Sequence, residues 1–206
     1  SYTMQIYFDF SGYSEMALGL GHLFNIRLPL NFNSPYRATS VIDFWQRWHM
    51  TLSVFLKQYL YIPLGGNRRG KVRRYVNLMT TMLLGGLWHG AAWTYVLWGA
   101  LHAFFLSLER ITHLDSWVRK SRPARLAGWF IVTLQVLVAW VFFRANSVEQ
   151  AWEIVTTMFS FKGDWITGWG ISGTVFIGIM VLWELLVSLR LDKSFRQVHP
   201  MAEMAF

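Results

Sequence analysis

The sequence predicts an all-α protein, namely a polytopic transmembrane helical protein that also contains a re-entrant helix. Of its 206 residues, 54% are hydrophobic and only 15% are charged, whereas an average soluble domain has about 25% charged residues. Apolar stretches of about 20 residues, the length that crosses a bilayer as a helix, alternate with short basic clusters. One further helical stretch carries too many ionisable groups to face lipid.

Charge and cysteine content exclude several classes of protein. The chain has 19 Lys and Arg against 11 Asp and Glu, a net charge of +8. The basic residues gather in loops between apolar stretches, as the positive-inside rule describes, so we expect a lipid bilayer and no nucleic acid as partner. There are no cysteines, which excludes disulfides, thiolate metal sites and a cysteine nucleophile. We expect no metal site.

Residues 1–110 form the first predicted segment, and its first span covers residues 2–20. Asp9 and Glu15 lie within this span, so we expect it to pack against protein. A Pro- and Asn-rich connection follows. Because the opening residues already have the character of a hydrophobic helix, we expect the chain to be a C-terminal piece of a longer polypeptide.

Residues 41–64 have the pattern of a helix but contain Asp43, Arg47, His49 and Lys57. Four ionisable groups are incompatible with a helix that faces lipid. The loops on both sides are basic, which places both of them in the cytoplasm. The segment therefore enters and leaves by the same face, as a re-entrant or interfacial helix that is buried in protein or lines water.

The remaining spans follow from the same rule. Residues 75–108 are apolar but interrupted by glycines, and both ends are basic, which predicts a helical hairpin entered from the cytoplasm and turning near His89. The second predicted segment, residues 111–206, contains a helix over 124–143 that crosses outward and a helix over 171–189 that returns.

His89 is the first candidate for chemistry. Counting from Tyr75 at 1.5 Å per residue places it roughly 20 Å from the cytoplasmic edge, in the outer half of the bilayer. One interpretation is a histidine that bonds a carbonyl at a tight corner between helices. The other is a functional histidine, because imidazole is unusual at membrane depth. The neighbouring Trp88 and Trp93 either line a substrate tunnel or pack in the core.

His49 is the second candidate. At helical spacing Trp45, Trp48 and His49 share one face, and Asp43 and Arg47 form an i, i+4 pair beside it. The stretch is either an aromatic anchor at the membrane interface or the floor of a polar path that opens to the cytoplasm. A third histidine, His102, lies one helical turn after Trp98, and we expect it to bond within the helix bundle.

Several consecutive motifs resemble a known family. They are YFDFSGYS at 7–14, NFNSPY at 31–36, FWQRWH at 44–49, YLYIPLGGNR at 59–68 and GLWHG at 86–90. In this order they resemble the membrane-bound O-acyltransferase family, in particular its alginate O-acetyltransferase branch, with the D-alanyl transfer protein of teichoic acid modification as a relative. Two features depart from the family pattern: Ala103 stands where a Gly is usual, and several N-terminal spans are missing.

The resemblance implies a multi-pass O-acyltransferase of the bacterial inner membrane. It would move an acetyl-type group from a cytoplasmic thioester, such as acetyl-CoA or an acyl carrier, to a hydroxyl of an extracytoplasmic polysaccharide or of a partner protein. No tightly bound cofactor is implied. His89 matches the central histidine of the family and His49 its second, cytoplasmic-side histidine. We assign His89 as general base and expect His49 to position the donor or polarise its carbonyl.

Trp88, Trp45, Trp48, Arg47 and Asp43 are the candidates for lining the substrate tunnel. Two other functions compete with an acyltransferase. Histidines and charged groups within a membrane also serve transporters and proton relays, although no convincing inverted repeat is present. The segment would alternatively be a non-catalytic scaffold that recruits an extracytoplasmic partner. Incorporation of labelled acyl groups into a surface glycan separates these functions.

Overall fold

The regular elements of the chain are helices, as the composition predicts. The computed structural model describes residues 2–160, and Gly178 alone beyond them; the predicted span 171–189 otherwise lies outside the described residues. In chain order the elements are α1 (Tyr2–Leu23), a 3₁₀ turn (Pro35–Arg37), α2 (Val41–Trp45), α3 (Met50–Leu56), a π-helical turn (Lys57–Tyr61), α4 (Gly70–His89), α5 (Trp93–Thr112), α6 (Leu114–Val118), α7 (Arg122–Arg144) and α8 (Val148–Ser160). The all-α prediction is confirmed for this part of the chain.

The helices α4 and α5 follow each other directly, with a turn between His89 and Trp93. The two backbones approach closely because glycines face each other across the interface. A Cβ atom on Gly86 would collide with the carbonyl of Tyr95, and one on Gly99 would collide with the carbonyl of Met82. Small residues at such crossings allow tight van der Waals packing between helices, which matters most where lipid removes the hydrophobic driving force.

The sequence predicts one continuous helix over residues 41–64, and here the structure differs. The helix stops at Trp45, and α3 begins only at Met50. Between them His49 has φ 44° and ψ 55°, a left-handed conformation that breaks the helical hydrogen-bond ladder. The apolar pattern continues on both sides of the break, so periodicity alone predicts a single helix. With the break in place, Trp45 and His49 no longer share a helix face.

The core lies where α2, α5 and α7 meet. Its buried side chains include Phe44, Trp98, Ala103, Val136 and Trp140. The first half of α1 also packs there, and the Tyr36 hydroxyl donates to the carbonyl of Thr3 at 2.7 Å.

The helices α7 and α1 differ in hydropathy and in exposure. Among the described residues α7 is the one helix long and apolar enough to cross a bilayer, with a mean hydropathy of 2.1. It starts with the hydroxyl of Ser121 accepting a hydrogen bond from the amide of Ala124. Much of α1 is exposed within this part of the chain, including Tyr13 (66%) and Leu23 (80%). The side chains of α1 that pack against the core, Tyr2, Ile6 and Tyr7, lie in its first half, and Ser14 and Gly21 are buried further along the helix.

Candidate active site

The bend that carries His49 is held by the loop before α2. The amide of Asn33 donates to the carbonyl of Arg47, and the amide of Met50 donates to the carbonyl of Asn31, each at 3.0 Å. These two bonds satisfy backbone groups that the broken helix leaves free. The loop thus takes the place of the missing helical turn and fixes the direction in which His49 points.

The side chain of Asn31 orients the imidazole of His49. Asn31 Oδ1 lies 3.1 Å from His49 Nδ1 and accepts a hydrogen bond from the Thr51 hydroxyl at 2.7 Å. A carbonyl oxygen can only accept, so Nδ1 carries the proton and donates. The other ring nitrogen, Nε2, then holds a lone pair when the ring is neutral. The edge of Phe10 packs against the half-buried ring, with 4.7 Å between centroids.

The predicted ion pair between Asp43 and Arg47 is present. Arg47 Nε donates to Asp43 Oδ1 at 2.6 Å. Asp43 Oδ2 accepts from the amide of Thr39 at 3.3 Å, and an Arg47 terminal nitrogen donates to the carbonyl of Asn33 at 3.3 Å. Both side chains therefore tie the loop to the bend.

His89 ends α4 and lies in a cage of aromatic rings. The centroid of its half-buried ring is 5.2 Å from Trp98, 5.1 Å from Phe143 and 6.3 Å from Tyr95. Gly90 makes this packing possible, since a Cβ atom there would collide with the Tyr95 ring. Rings that pack in this way hold the imidazole in place without forming hydrogen bonds to its nitrogens.

One continuous aromatic cluster links the surroundings of the two histidines. From His89 it runs through Trp98, which stacks on Trp140 at 6.2 Å between centroids, and Trp140 contacts Trp48 at 4.9 Å. Trp48 directly precedes His49. Trp48 in turn contacts Phe32, Phe32 contacts Phe10, and Phe10 packs against His49, so the run of rings reaches the second histidine. The sequence places the two histidines on opposite sides of the membrane, and in the structure one run of aromatic rings contacts both of them.

The tryptophans proposed for a tunnel take different positions. Trp48 is buried in the cluster and Trp45 is half-buried beside Trp98 at 5.8 Å. Trp88 and Trp93 are 71% and 76% exposed, and Trp88 packs on Phe55 with 6.1 Å between the ring centroids. Successive helical residues are about 100° apart, so the residue next to His89 in sequence faces another direction.

Several site residues were missed by the sequence reasoning. Asn31 belongs to the NFNSPY motif, but its side chain had no assigned partner. Trp98, Trp140 and Phe143 are apolar residues in helices that look like ordinary core. Their spacing along α5 and α7 signals a buried face, whereas their contact with His89 depends on how the helices pack.

The family of the chain follows from comparison with known proteins. Residues 1–151 match the membrane-bound O-acyltransferase family. The chain belongs to this family, as its motifs indicated.

Individual relatives agree with that assignment. The chain is 52% identical to the probable alginate O-acetylase AlgI of Azotobacter vinelandii over 165 residues, which are 80% of this chain and 32% of the relative. It is 51% identical to the peptidoglycan O-acetyltransferase of Helicobacter pylori over 79% of this chain and 31% of that protein. The teichoic acid D-alanyltransferase of Streptococcus thermophilus is 34% identical over 59% of this chain and 30% of that protein. The chain thus spans about a third of the length of these curated relatives.

Proposed function

We propose that this chain is the histidine-bearing part of an integral membrane O-acyltransferase. The enzyme moves an acetyl-type group from a thioester donor, such as acetyl-CoA or an acyl carrier, to a hydroxyl of an extracytoplasmic polysaccharide or partner protein. The observation that carries the proposal is the single aromatic cluster that contacts both His49 and His89 in a chain of this family. Relatives named for acetylation of alginate and of peptidoglycan support an acetyl group and a glycan acceptor.

His89 acts as the general base. The attacking hydroxyl must lose its proton as its oxygen bonds to the thioester carbonyl carbon, and neutral imidazole accepts that proton. The carbon–sulfur bond then breaks and the thiol leaves with a proton. The half-buried ring of His89 remains able to contact a substrate. The surrounding rings exclude water, which reduces competing hydrolysis of the thioester.

His49 positions the donor. Because its Nδ1–H is committed to Asn31, the neutral ring presents only a lone pair at Nε2. A lone pair cannot polarise a carbonyl oxygen, but it accepts a hydrogen bond from an amide N–H. A pantetheine arm, which acetyl-CoA and acyl carriers share, contains such amides. Of the two roles considered for His49, the geometry favours holding the donor.

The membrane arrangement belongs to the same proposal. The chain crosses the bacterial inner membrane several times, and residues 41–64 dip into it from the cytoplasm as a bent, re-entrant segment. The donor approaches from the basic cytoplasmic side, and the acceptor approaches His89 from outside. Residues 1–110 form the acyltransferase core, and residues 111–206 add the C-terminal helices. In this arrangement the side chains around His49 contact protein and do not face lipid.

Substitution of His89 in the complete gene product tests the proposal. We expect His89→Ala to lower transfer of a labelled acetyl group to surface glycan by about 10²–10⁴-fold, the usual loss for a general base. His89→Gln will recover little, because an amide cannot take up a proton at neutral pH. The wild-type rate will fall as the outside pH drops through the range in which imidazole protonates.

The matched control is His22→Ala, which removes an exposed histidine near the end of α1. We expect its rate to stay within about twofold of wild type, since most exposed substitutions change little. If His89→Ala kept its rate within about tenfold of wild type at equal abundance in the membrane, the assignment of the base would be wrong. A wild type that moved protons or ions but no acyl group would favour the transporter instead.

A further inference from the structure

His102 lies fully buried on the inner face of α5, with an exposed fraction of 0%. The indole Nε1–H of Trp45 donates to His102 Nδ1 at 3.3 Å. Because Nδ1 accepts, the ring is neutral and carries its proton on Nε2. His102 is therefore fixed in the opposite tautomer to His49, and it has no exposed edge with which to meet a substrate.

His102 lies between the segment that carries His89 and the segment that carries His49. One helical turn earlier on α5, Trp98 packs edge-on against His102 at 4.9 Å between centroids, and the same indole packs against His89 at 5.2 Å. On its other side His102 bonds Trp45, the last residue of α2. Four residues later the chain reaches His49.

The bend after α2 depends on Trp45 as well. Its carbonyl accepts a hydrogen bond from the Ser53 hydroxyl at 3.1 Å, which ties the end of α2 to α3 across the bend. At the other end of α2, Glu109 Oε2 accepts from the amide of Val41 at 2.5 Å. Two buried polar side chains of α5, Glu109 and His102, thus bind the two ends of α2, and His102 binds the end next to His49.

We propose that His102 is a positioning residue of the acyltransfer site. Through its bond to Trp45 and its contact with Trp98, it sets the separation of His49 and His89. This inference rests on the proposed function, and it assigns to His102 no contact with substrate. Small displacements between groups that hold the donor and take the proton reduce the rate steeply, by as much as 10²-fold for about 1 Å.

A double-mutant cycle in the complete, membrane-embedded protein tests the proposal. His102→Phe keeps an aromatic ring but leaves the indole N–H of Trp45 unpaired, and we expect kcat to fall about 10- to 100-fold. Trp45→Phe will act similarly. The double variant will fall no further than either single variant, because both changes break the same bond.

Rescue separates positioning from bulk packing. In His102→Asn the amide oxygen takes the place of Nδ1 and still accepts from Trp45, so we expect kcat within about threefold of wild type although the ring is lost. Ser107→Ala, on the same helix, removes a hydroxyl that bonds only the carbonyl of Ala103 and serves as the matched control. Its kcat should equal that of wild type. KM for the acyl donor should rise less than kcat falls in His102→Phe.

Thermal unfolding midpoints of the same four proteins of the cycle provide a readout independent of activity. The proposal is supported if the shifts of the unfolding midpoints are non-additive and kcat falls in His102→Phe but recovers in His102→Asn. Coupling in the midpoints with unchanged kcat would reduce His102 to a purely structural role, and additive midpoints would show that the bond to Trp45 does not form; either result overturns the inference. A wild type without acyl transfer would instead overturn the proposed function, and with it the catalytic part of this inference.

Discussion

The left-handed backbone of His49 is the most informative local feature of the chain. A non-glycine residue in this conformation costs on the order of 1–2 kcal/mol, and such strain persists only where the surroundings impose it. Here the surroundings are the backbone bonds to residues 31–33 and the bond from Nδ1 to Asn31. Strain at a histidine that a family motif already singles out indicates that the ring direction is under constraint.

Asn31 is therefore expected to matter through its side chain. Asn31→Ala removes the acceptor that fixes the His49 tautomer, and we expect acyl transfer to fall about 5- to 10-fold, the effect of one hydrogen bond worth about 1 kcal/mol. Thr51→Val is the matched control, since it removes a hydroxyl that donates to Asn31 Oδ1 at 2.7 Å and lies 3.5 Å from His49 Nδ1, but keeps the Asn31 oxygen that accepts from the imidazole. Equal rates for both variants, measured at equal abundance, would contradict the role assigned to Asn31.

Helix hairpins and helix breaks differ in how visible they are in a sequence. The turn between α4 and α5 was predictable because glycines interrupt an apolar stretch there and basic residues mark both ends. The break before α3 was not, because His49 supplies the left-handed residue where glycine or asparagine would be the usual signal. The Asp43–Arg47 pair followed from i, i+4 spacing, which survives in the short turn after α2.

The segment 41–64 makes a prediction about membrane access. If it enters and leaves by the cytoplasmic face, single cysteines at the exposed positions Arg37 and Arg68 will be labelled from the same side. The cysteine-free chain gives no background labelling. Ser40 is unsuitable as a label site, since it is buried and its hydroxyl caps α2 by accepting from the amide of Asp43. Labelling of Arg37→Cys and Arg68→Cys from opposite faces would mean that the segment spans the bilayer.

At the scale of the whole molecule, the sequence was most informative about properties that do not depend on how the helices pack. The all-α class, the hairpin and the family were within reach, because they depend on periodicity, turn residues and motif order. The aromatic cluster that contacts both His49 and His89 was not, since it depends on how α5, α7 and the bend after α2 pack through Trp98, Trp140 and Trp48. Aromatic side chains in a helix look alike in a sequence whether they fill a core or hold a catalytic ring.

Orientation is the last prediction, and it concerns the ends of α7. Basic residues cluster between α5 and α7, whereas α8, which follows α7, carries Glu149 and Glu153, so the positive-inside rule places the start of α7 in the cytoplasm and its end outside. Ser116→Cys and Asn146→Cys are exposed positions on the two sides of this helix, and neither change alters a charge. In spheroplasts an impermeant thiol reagent should label Asn146→Cys at once and Ser116→Cys only after lysis. Phe143, near the end of α7, packs against His89. This labelling result would therefore also place His89 toward the outer face. The reverse labelling pattern would contradict both the orientation and the outside approach of the acceptor.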